Sequence, residues 1–355
     1  MRRSVISILD LSVNELYGLI DTACDIADNP RKYCEKCKGK KLATLFFEPS
    51  TRTRLSFEAA MLELGGSVIG FSDADSSSAS KGESVADTAK VVSNYADIIA
   101  MRHPREGAPY VAATNAAVPV INAGDGGHNH PTQTLADLLT IYRKFGRLTD
   151  LTVGFCGDLK YGRTVHSLIE ALSRYTGIRT VLISPEELKL PDYIKKDVLD
   201  AKGMEYTETS SLEDAIPSLD VLYMTRIQKE RFPTEEEYER LKDSYVLDMP
   251  KLSGAKSTLA ILHPLPRVNE ISVAVDSDPR AAYFFQTLNG KLMRMALILK
   301  LLKEGEAEAE VFDGEINSGK CNNPRCISAT EQELLPRFRP AEDGTYKCVY
   351  CEHKM

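Results

Sequence analysis

The chain has 355 residues, of which 43% are hydrophobic and 27% charged, a composition that fills globular cores and demands no large disordered region. Since single domains run to roughly 100–200 residues, that length suggests two domains and a small appendage. A formal net charge of −7 is the wrong sign for a nucleic-acid binder, the segment before Asp10 lacks the apolar core of a signal peptide, and no run approaches the roughly 20 apolar residues of a membrane span, so the protein is expected to be cytoplasmic.

Ser12-Val13-Asn14-Glu15 reads as a capping box, and Leu16, Leu19, Ile20, Ala23 and Ile26 follow at helical spacing, so the first element is an amphipathic helix. Apolar strand-like runs at 42–47, 97–101 and 118–122 then alternate with helical stretches at 52–64, 85–95 and 110–116, the rhythm of a parallel sheet with covering helices. A long helical stretch at 132–145 leads into a second alternating set, with strands expected at 151–156, 180–184, 221–225, 245–248 and 259–262. The expected fold class is α/β, with two doubly wound parallel-sheet domains at 1–131 and 132–287 and a helix at 288–303 packing back. Glu304, Glu306, Glu308 and Glu310 alternate with small residues, so 304–318 reads as a solvated acidic linker.

Beyond it, 319–355 holds four of the eight cysteines. Cys321-x4-Cys326 and Cys348-x2-Cys351 make two knuckles separated by a 21-residue loop, the spacing that closes four thiolates into a tetrahedron. Four sulfurs leave no open coordination position, so the expected cofactor is one structural zinc per chain. Cys34-x2-Cys37 has no second pair nearby, which favours a plain structural role over a metal or redox one.

The chemistry is concentrated after the first strand, in Phe47-Glu48-Pro49-Ser50-Thr51-Arg52-Thr53-Arg54. This segment turns into a helix whose N-terminus offers unpaired N–H groups and a positive dipole end. Ser50, Thr51 and Thr53 add hydroxyl donors, and Arg52 and Arg54 add planar forks suited to phosphate oxygens. Hydroxyls alone could merely cap the helix. Two arginines at a positive helix end are disfavoured without an anion, so a bound phosphate is expected.

The octapeptide resembles the carbamoyl phosphate motif of the carbamoyltransferases. Ser80-Lys81-Gly82-Glu83, Met101-Arg102-His103-Pro104 and the run from Ala123 to Gln133 are similar to that family's mobile loop, carbonyl-binding arginine and catalytic-histidine segment. Gly157–Val165, Met224–Arg231 and His263-Pro264-Leu265-Pro266-Arg267 resemble its aspartate members in particular. The ornithine members are the alternative, disfavoured because Arg226, Gln228 and Pro264 stand where they would show Asp, Ser and Cys; arginines suit an acceptor with two carboxylates. The tail resembles the zinc domain of the aspartate carbamoyltransferase regulatory chain, without the nucleotide-binding domain that precedes it there, so nucleotide control is not expected. A zinc-ribbon nucleic-acid-binding protein is the rival of another class.

What the resemblance implies is transfer of a carbamoyl group from carbamoyl phosphate to L-aspartate, in de novo pyrimidine biosynthesis, with no catalytic cofactor. Ser50, Thr51, Arg52 and Thr53 would hold the phosphate. Thr53, Arg102 and His130 would donate to the carbonyl oxygen, and Gln133 with the Leu265 and Pro266 carbonyls would receive the carbamoyl nitrogen. Arg163, Arg226 and Gln228, with Lys81, Leu265 and Pro266, form the aspartate-binding set. Lys81, aided by Ser77 or by Ser76, Ser78 or Ser80, would reach a neighbouring subunit's site, implying a homotrimer; pairing of trimers through the zinc domain is a further option. His103, His128, His166 and His263 are read as hydrogen-bonded structural residues.

Overall fold

The computed structural model describes residues 2–227, 234–241, 244–304, 315–316, 319–331, 333–341 and 344–354. It divides into two compact units, one made of Met1–Thr132 with Lys291–Met355 and the other of Gln133–Gly290.

In the first unit, α1 (Val13–Asp28) begins with a reciprocal capping box: Glu15 N–H donates to Ser12 Oγ at 3.2 Å and Ser12 N–H to Glu15 Oε2 at 2.8 Å. The helix buries Leu16, Leu19, Ile20, Ala23 and Ile26. There follow β1 (Lys41–Phe46), α2 (Thr51–Glu63), β2 (Ser67–Phe71), α3 (Val85–Val92), β3 (Ile98–His103), α4 (Ala108–Asn115), β4 (Val120–Asp125) and the first residues of α5 (Pro131–Phe145), which continues into the second unit. The sheet is parallel in the order β2-β1-β3-β4. Central β1 and β3 are apolar and buried, whereas edge strand β2 is largely exposed, which is why its sequence carries no strong strand signal.

The second unit contains β5 (Thr152–Cys156), α6 (Arg163–Leu172), β6 (Arg179–Ile183), α7 (Asp192–Ile194), β7 (Glu205–Thr209), α8 (Leu212–Ala215), β8 (Val221–Met224), α9 (Glu235–Leu241) and β9 (Ala260–Leu262). Its parallel sheet runs β7-β6-β5-β8-β9. The strand expected at 245–248 is not formed: Leu247 makes an isolated bridge to Ile271, and Asp248 Oδ1 instead accepts the N–H of Lys251, turning the chain. α10 (Tyr283–Glu304) starts in this unit and ends in the first. There Arg294 bonds Ser56 Oγ and Thr132 Oγ1 at 3.1 and 3.2 Å, and Lys300 pairs with Glu15 at 2.9 Å.

The tail adds a small antiparallel sheet, β10 (Glu315–Ile316), β11 (Arg337–Pro340) and β12 (Tyr346–Cys348). It belongs to the first unit and shares its core. Cys326, Ile327, Phe338, Cys348 and Tyr350 cluster with Met101, Ala108, Val111 and Ala112. The larger of these, Met101, Val111, Ile327 and Phe338, contribute roughly 1.5–3 kcal/mol each on full burial. Gly107, at φ +87°, is required here, because a Cβ would lie 2.5 Å from the Tyr350 carbonyl oxygen. Residues 305–314 and 317–318 of the acidic linker lie outside the described residues. No helix among the described residues is long and apolar enough to cross a membrane.

Candidate active site

Parallel strands deliver their loops to one sheet end, and the predicted groups of the first unit follow β1, β3 and β4. Ser50 starts α2 without a side-chain capping bond, leaving its hydroxyl uncommitted to the helix end. Thr51 and Arg52 are exposed and Thr53 is buried on the first turn. Arg54 points down its own helix to Glu58 at 2.7 Å, a pairing that separates it from the other four.

Arg102 stands at the end of β3, in register with Phe46 on β1. Its guanidinium pairs with Glu48 at 2.7 Å, and its buried Nε has no partner among the described residues. His130 immediately precedes α5 and is buried, its Nδ1 lying 3.5 Å from Thr132 Oγ1.

The loop that leads to His130 is organised by Asp125, which nothing in the sequence singled out. Asp125 is fully buried and accepts from the Gly107 and Asn129 N–H groups, from Asn122 Nδ2 and from His128 Nδ1, at 2.8 to 3.0 Å. Burial raises its pKa, but the His128 charge and these donors outweigh burial and hold the carboxyl below its ordinary value. Burial disfavours His128 as a cation, yet Asp125 and Glu352 overcome it and raise its pKa well above the ordinary value. Glu352 comes from the tail, 3.2 Å from His128 Nε2.

Ser77 and Lys81 sit on a short helical loop. Ser77 Oγ donates to Ala74 O at 2.7 Å and accepts from Ala79 N at 3.3 Å, so its hydroxyl serves its own turn. Lys81 is exposed beside Gly82, which takes φ +91°.

The second unit gathers its set at the ends of adjacent β5, β8 and β9. Arg163 opens α6 after β5, and Arg226 follows β8 by two residues. Asp158 N–H donates to Thr225 Oγ1 at 2.9 Å, tying those two loops together. Leu265 and Pro266 follow β9, joined by a cis peptide bond with Leu265 at φ +54°. Gln133 lies in the first turn of α5 and donates to Asp137 Oδ1 at 2.8 Å. Gln228 lies outside the described residues.

The four tail cysteines converge. Their sulfurs lie within 4.8 Å of one another, with Cys321 and Cys351 at 3.6 Å and Cys326 and Cys348 at 3.8 Å. A tetrahedron with metal–sulfur bonds of about 2.3 Å has edges of about 3.8 Å, so the donor set fits a four-thiolate metal site. Hydrogen bonds from Cys348 and Cys351 hold the Cys326 thiol below its ordinary pKa. Sharing of negative charge among buried sulfurs is what a bound cation relieves.

Three family models match successive parts of the chain. They are the carbamoyl-P binding domain of aspartate/ornithine carbamoyltransferase over 3–143, the Asp/Orn binding domain over 149–301, and the metal binding domain of the aspartate carbamoyltransferase regulatory chain over 317–355. The chain is 65% identical to the aspartate carbamoyltransferase catalytic subunit of Lachnoclostridium phytofermentans over 300 residues, 84% of this chain and 98% of that one. It resembles the solved catalytic subunit of M. jannaschii aspartate transcarbamoylase at 49% identity and a TM-score of 0.81, over 86% of this chain and all of the other. It also resembles Trypanosoma cruzi aspartate transcarbamoylase in complex with carbamoyl phosphate and aspartate, at 38% identity and a TM-score of 0.79, over 84% and 96% of the two chains.

Proposed function

This chain belongs to the aspartate carbamoyltransferase family, and from that premise we propose how its residues divide the work. The enzyme converts carbamoyl phosphate and L-aspartate to N-carbamoyl-L-aspartate and phosphate, a reaction that supplies pyrimidine synthesis. Ser50, Thr51, Arg52 and Thr53 hold the phosphate at the start of α2. Thr53, Arg102 and His130 donate to the carbonyl oxygen as the aspartate amine attacks and negative charge grows there. Arg163, Arg226 and Gln228 hold the two carboxylates of aspartate, and Gln133 with the Leu265 and Pro266 carbonyls receives the carbamoyl NH2.

The observation that carries this assignment is the gathering of the α2 turn, Arg102 and His130 at the ends of three neighbouring strands of one sheet. The donor is already activated by its phosphate, so positioning and charge stabilisation are sufficient for the transfer. Incubating the purified protein with carbamoyl phosphate and either aspartate or ornithine tests it: carbamoyl aspartate is expected, and citrulline alone would transfer the chain to the ornithine branch.

The active unit is a homotrimer in which Lys81, with Ser77, completes a neighbour's site. Exposed Leu55 and Leu62, on one face of α2, support a self-association surface. Mixing inactive Lys81→Ala and His130→Ala chains after dissociation should restore activity; continued inactivity with trimers re-formed counts against sharing. The tail binds one zinc per chain through Cys321, Cys326, Cys348 and Cys351, in a cytoplasmic enzyme fused to its own docking domain. Trimers that pair do so through this tail, which sedimentation of a chain truncated after Lys303 would check.

A further inference from the structure

Behind Gln133 the second unit buries four polar side chains that the transfer chemistry leaves unused: Asp137, Gln286, His263 and Glu270. They join end to end. Gln133 Nε2 and Gln286 Nε2 both donate to Asp137 Oδ1, at 2.8 and 2.5 Å. Gln286 Oε1 accepts the His263 backbone N–H at 3.0 Å, and His263 Nδ1 accepts the Leu265 N–H at 2.8 Å. His263 Nε2 meets Glu270 Oε1 at 2.7 Å, while Glu270 Oε2 accepts the Val268 and Asn269 N–H groups at 2.9 and 3.1 Å.

Elementary hydrogen-bond chemistry gives this chain a direction. An oxygen that accepts twice forces each amide to turn its NH2 toward Asp137 and its carbonyl oxygen away. A ring Nδ1 that accepts from a backbone N–H carries no proton, so the proton sits on Nε2 and is donated to Glu270. Two consequences follow for the residues assigned to the carbamoyl nitrogen. Gln133 turns Oε1 away from Asp137. The Leu265 N–H is consumed by His263 and Pro266 has none, so what these two residues offer is their carbonyl oxygens. Three such acceptors recognise a group made of donors, such as an NH2, and give nothing to a methyl of the same size.

We propose that Asp137, braced by Gln286, is a positioning residue that locks Gln133 as an acceptor, and that this buried network makes the second unit select an acyl phosphate bearing NH2 over its methyl isostere. The proposal rests on the assignment of Gln133 to the carbamoyl nitrogen made above.

The test compares carbamoyl phosphate with acetyl phosphate as donors to aspartate, in the full-length enzyme. With acetyl phosphate the amine forms an N–C bond to the acetyl carbon, the C–O bond to phosphate breaks, and N-acetylaspartate, phosphate and a proton result. In Asp137→Leu the oxygen that both amides share is gone, so Gln133 loses its fixed orientation. The ratio of kcat/KM for the two donors should fall about tenfold in Asp137→Leu and in Gln133→Ala. It should fall no further in the double variant. A merely structural role would lower both donors alike and leave the ratio unchanged.

Gln286→Met, which removes the brace and touches neither Gln133 nor substrate, decides the matter if Asp137→Leu does not fold; the ratio should fall there too. An unchanged ratio in the folded Asp137 or Gln286 variant, with a lowered ratio in Gln133→Ala, overturns the proposal alone. An unchanged ratio in Gln133→Ala, or a wild-type chain that forms no carbamoyl aspartate, overturns the assignment beneath it and the proposal with it.

Discussion

Glu106 joins the metal-binding tail to the loop that leads to His130. Its backbone exchanges hydrogen bonds with Arg325 O and Ile327 N–H, both at 2.9 Å. Its carboxylate accepts from Asn323 Nδ2 at 2.6 Å and from the Gly127 N–H at 3.1 Å, one donor on each oxygen. Glu106→Gln preserves shape but converts one oxygen to an NH2. Both neighbours are donors, so whichever way the amide turns, one of them loses its partner.

A bond to a charged acceptor contributes roughly 1.5–3 kcal/mol, and an unsatisfied buried donor costs about 1–3 kcal/mol, so a loss near 2–3 kcal/mol is expected. At roughly 2–4 °C per kcal/mol for a unit of about 200 residues, the first unit should melt about 4–12 °C lower. Calorimetry, a colorimetric chelator that follows metal release, and steady-state kinetics measure the three consequences. Melting should come earlier, metal should leave faster, and kcat should fall about threefold to tenfold because Gly127 lies three residues before His130. Asn323→Ala removes the same contact from the other side, so the double variant should cost less than the two singles added. Wild-type melting and metal release in Glu106→Gln, or strict additivity, would refute the coupling.

Other expectations follow from single sites. Arg52→Ala should lower kcat by about 10²–10³ and change KM for carbamoyl phosphate far less, if Arg52 stabilises charge on the departing phosphate; a KM effect alone would show ground-state binding only. Burial pushes the His103 and His166 pKa values down to about 4 from an ordinary 6.5. The folded state therefore resists protons that the unfolded chain accepts, and stability is withdrawn as pH falls from 6.5 to 4, by up to about 3 kcal/mol per histidine. His166→Gln should make the melting temperature less steep across that window, and an identical slope would count against it. Removing the tail metal by chelation should release one equivalent of zinc per chain and lower the melting temperature of the first unit; retained stability with four free thiols would deny the metal a structural role.

The two sheets were legible because central strands are continuous apolar runs and the helices between them are amphipathic. Edge strands β2 and β7 were not, since both lie largely open to solvent and neither shows a buried face. α10 begins at Tyr283, five residues before the expected start at 288, because Phe284, Phe285 and Leu288 in its first turns are exposed and give no one-sided apolar stripe. The four tail cysteines could be read from spacing alone. Asp125 and Asp137 could not: each draws its importance from donors brought to it by the fold. Gln286 reaches Asp137 across 149 residues of sequence. The sequence marks His128 as a hydrogen-bonded structural histidine, which it is, but its partners Asp125 and Glu352 emerge only in the folded chain.

The most direct test of the central assignment is to follow carbon-labelled carbamoyl phosphate with the purified full-length enzyme and separate the products formed with aspartate and with ornithine. Labelled carbamoyl aspartate should accumulate with aspartate, none should form in Arg102→Ala beyond the uncatalysed rate, and ornithine should give no citrulline. Citrulline formation, or no labelled product with aspartate at all, would contradict the account.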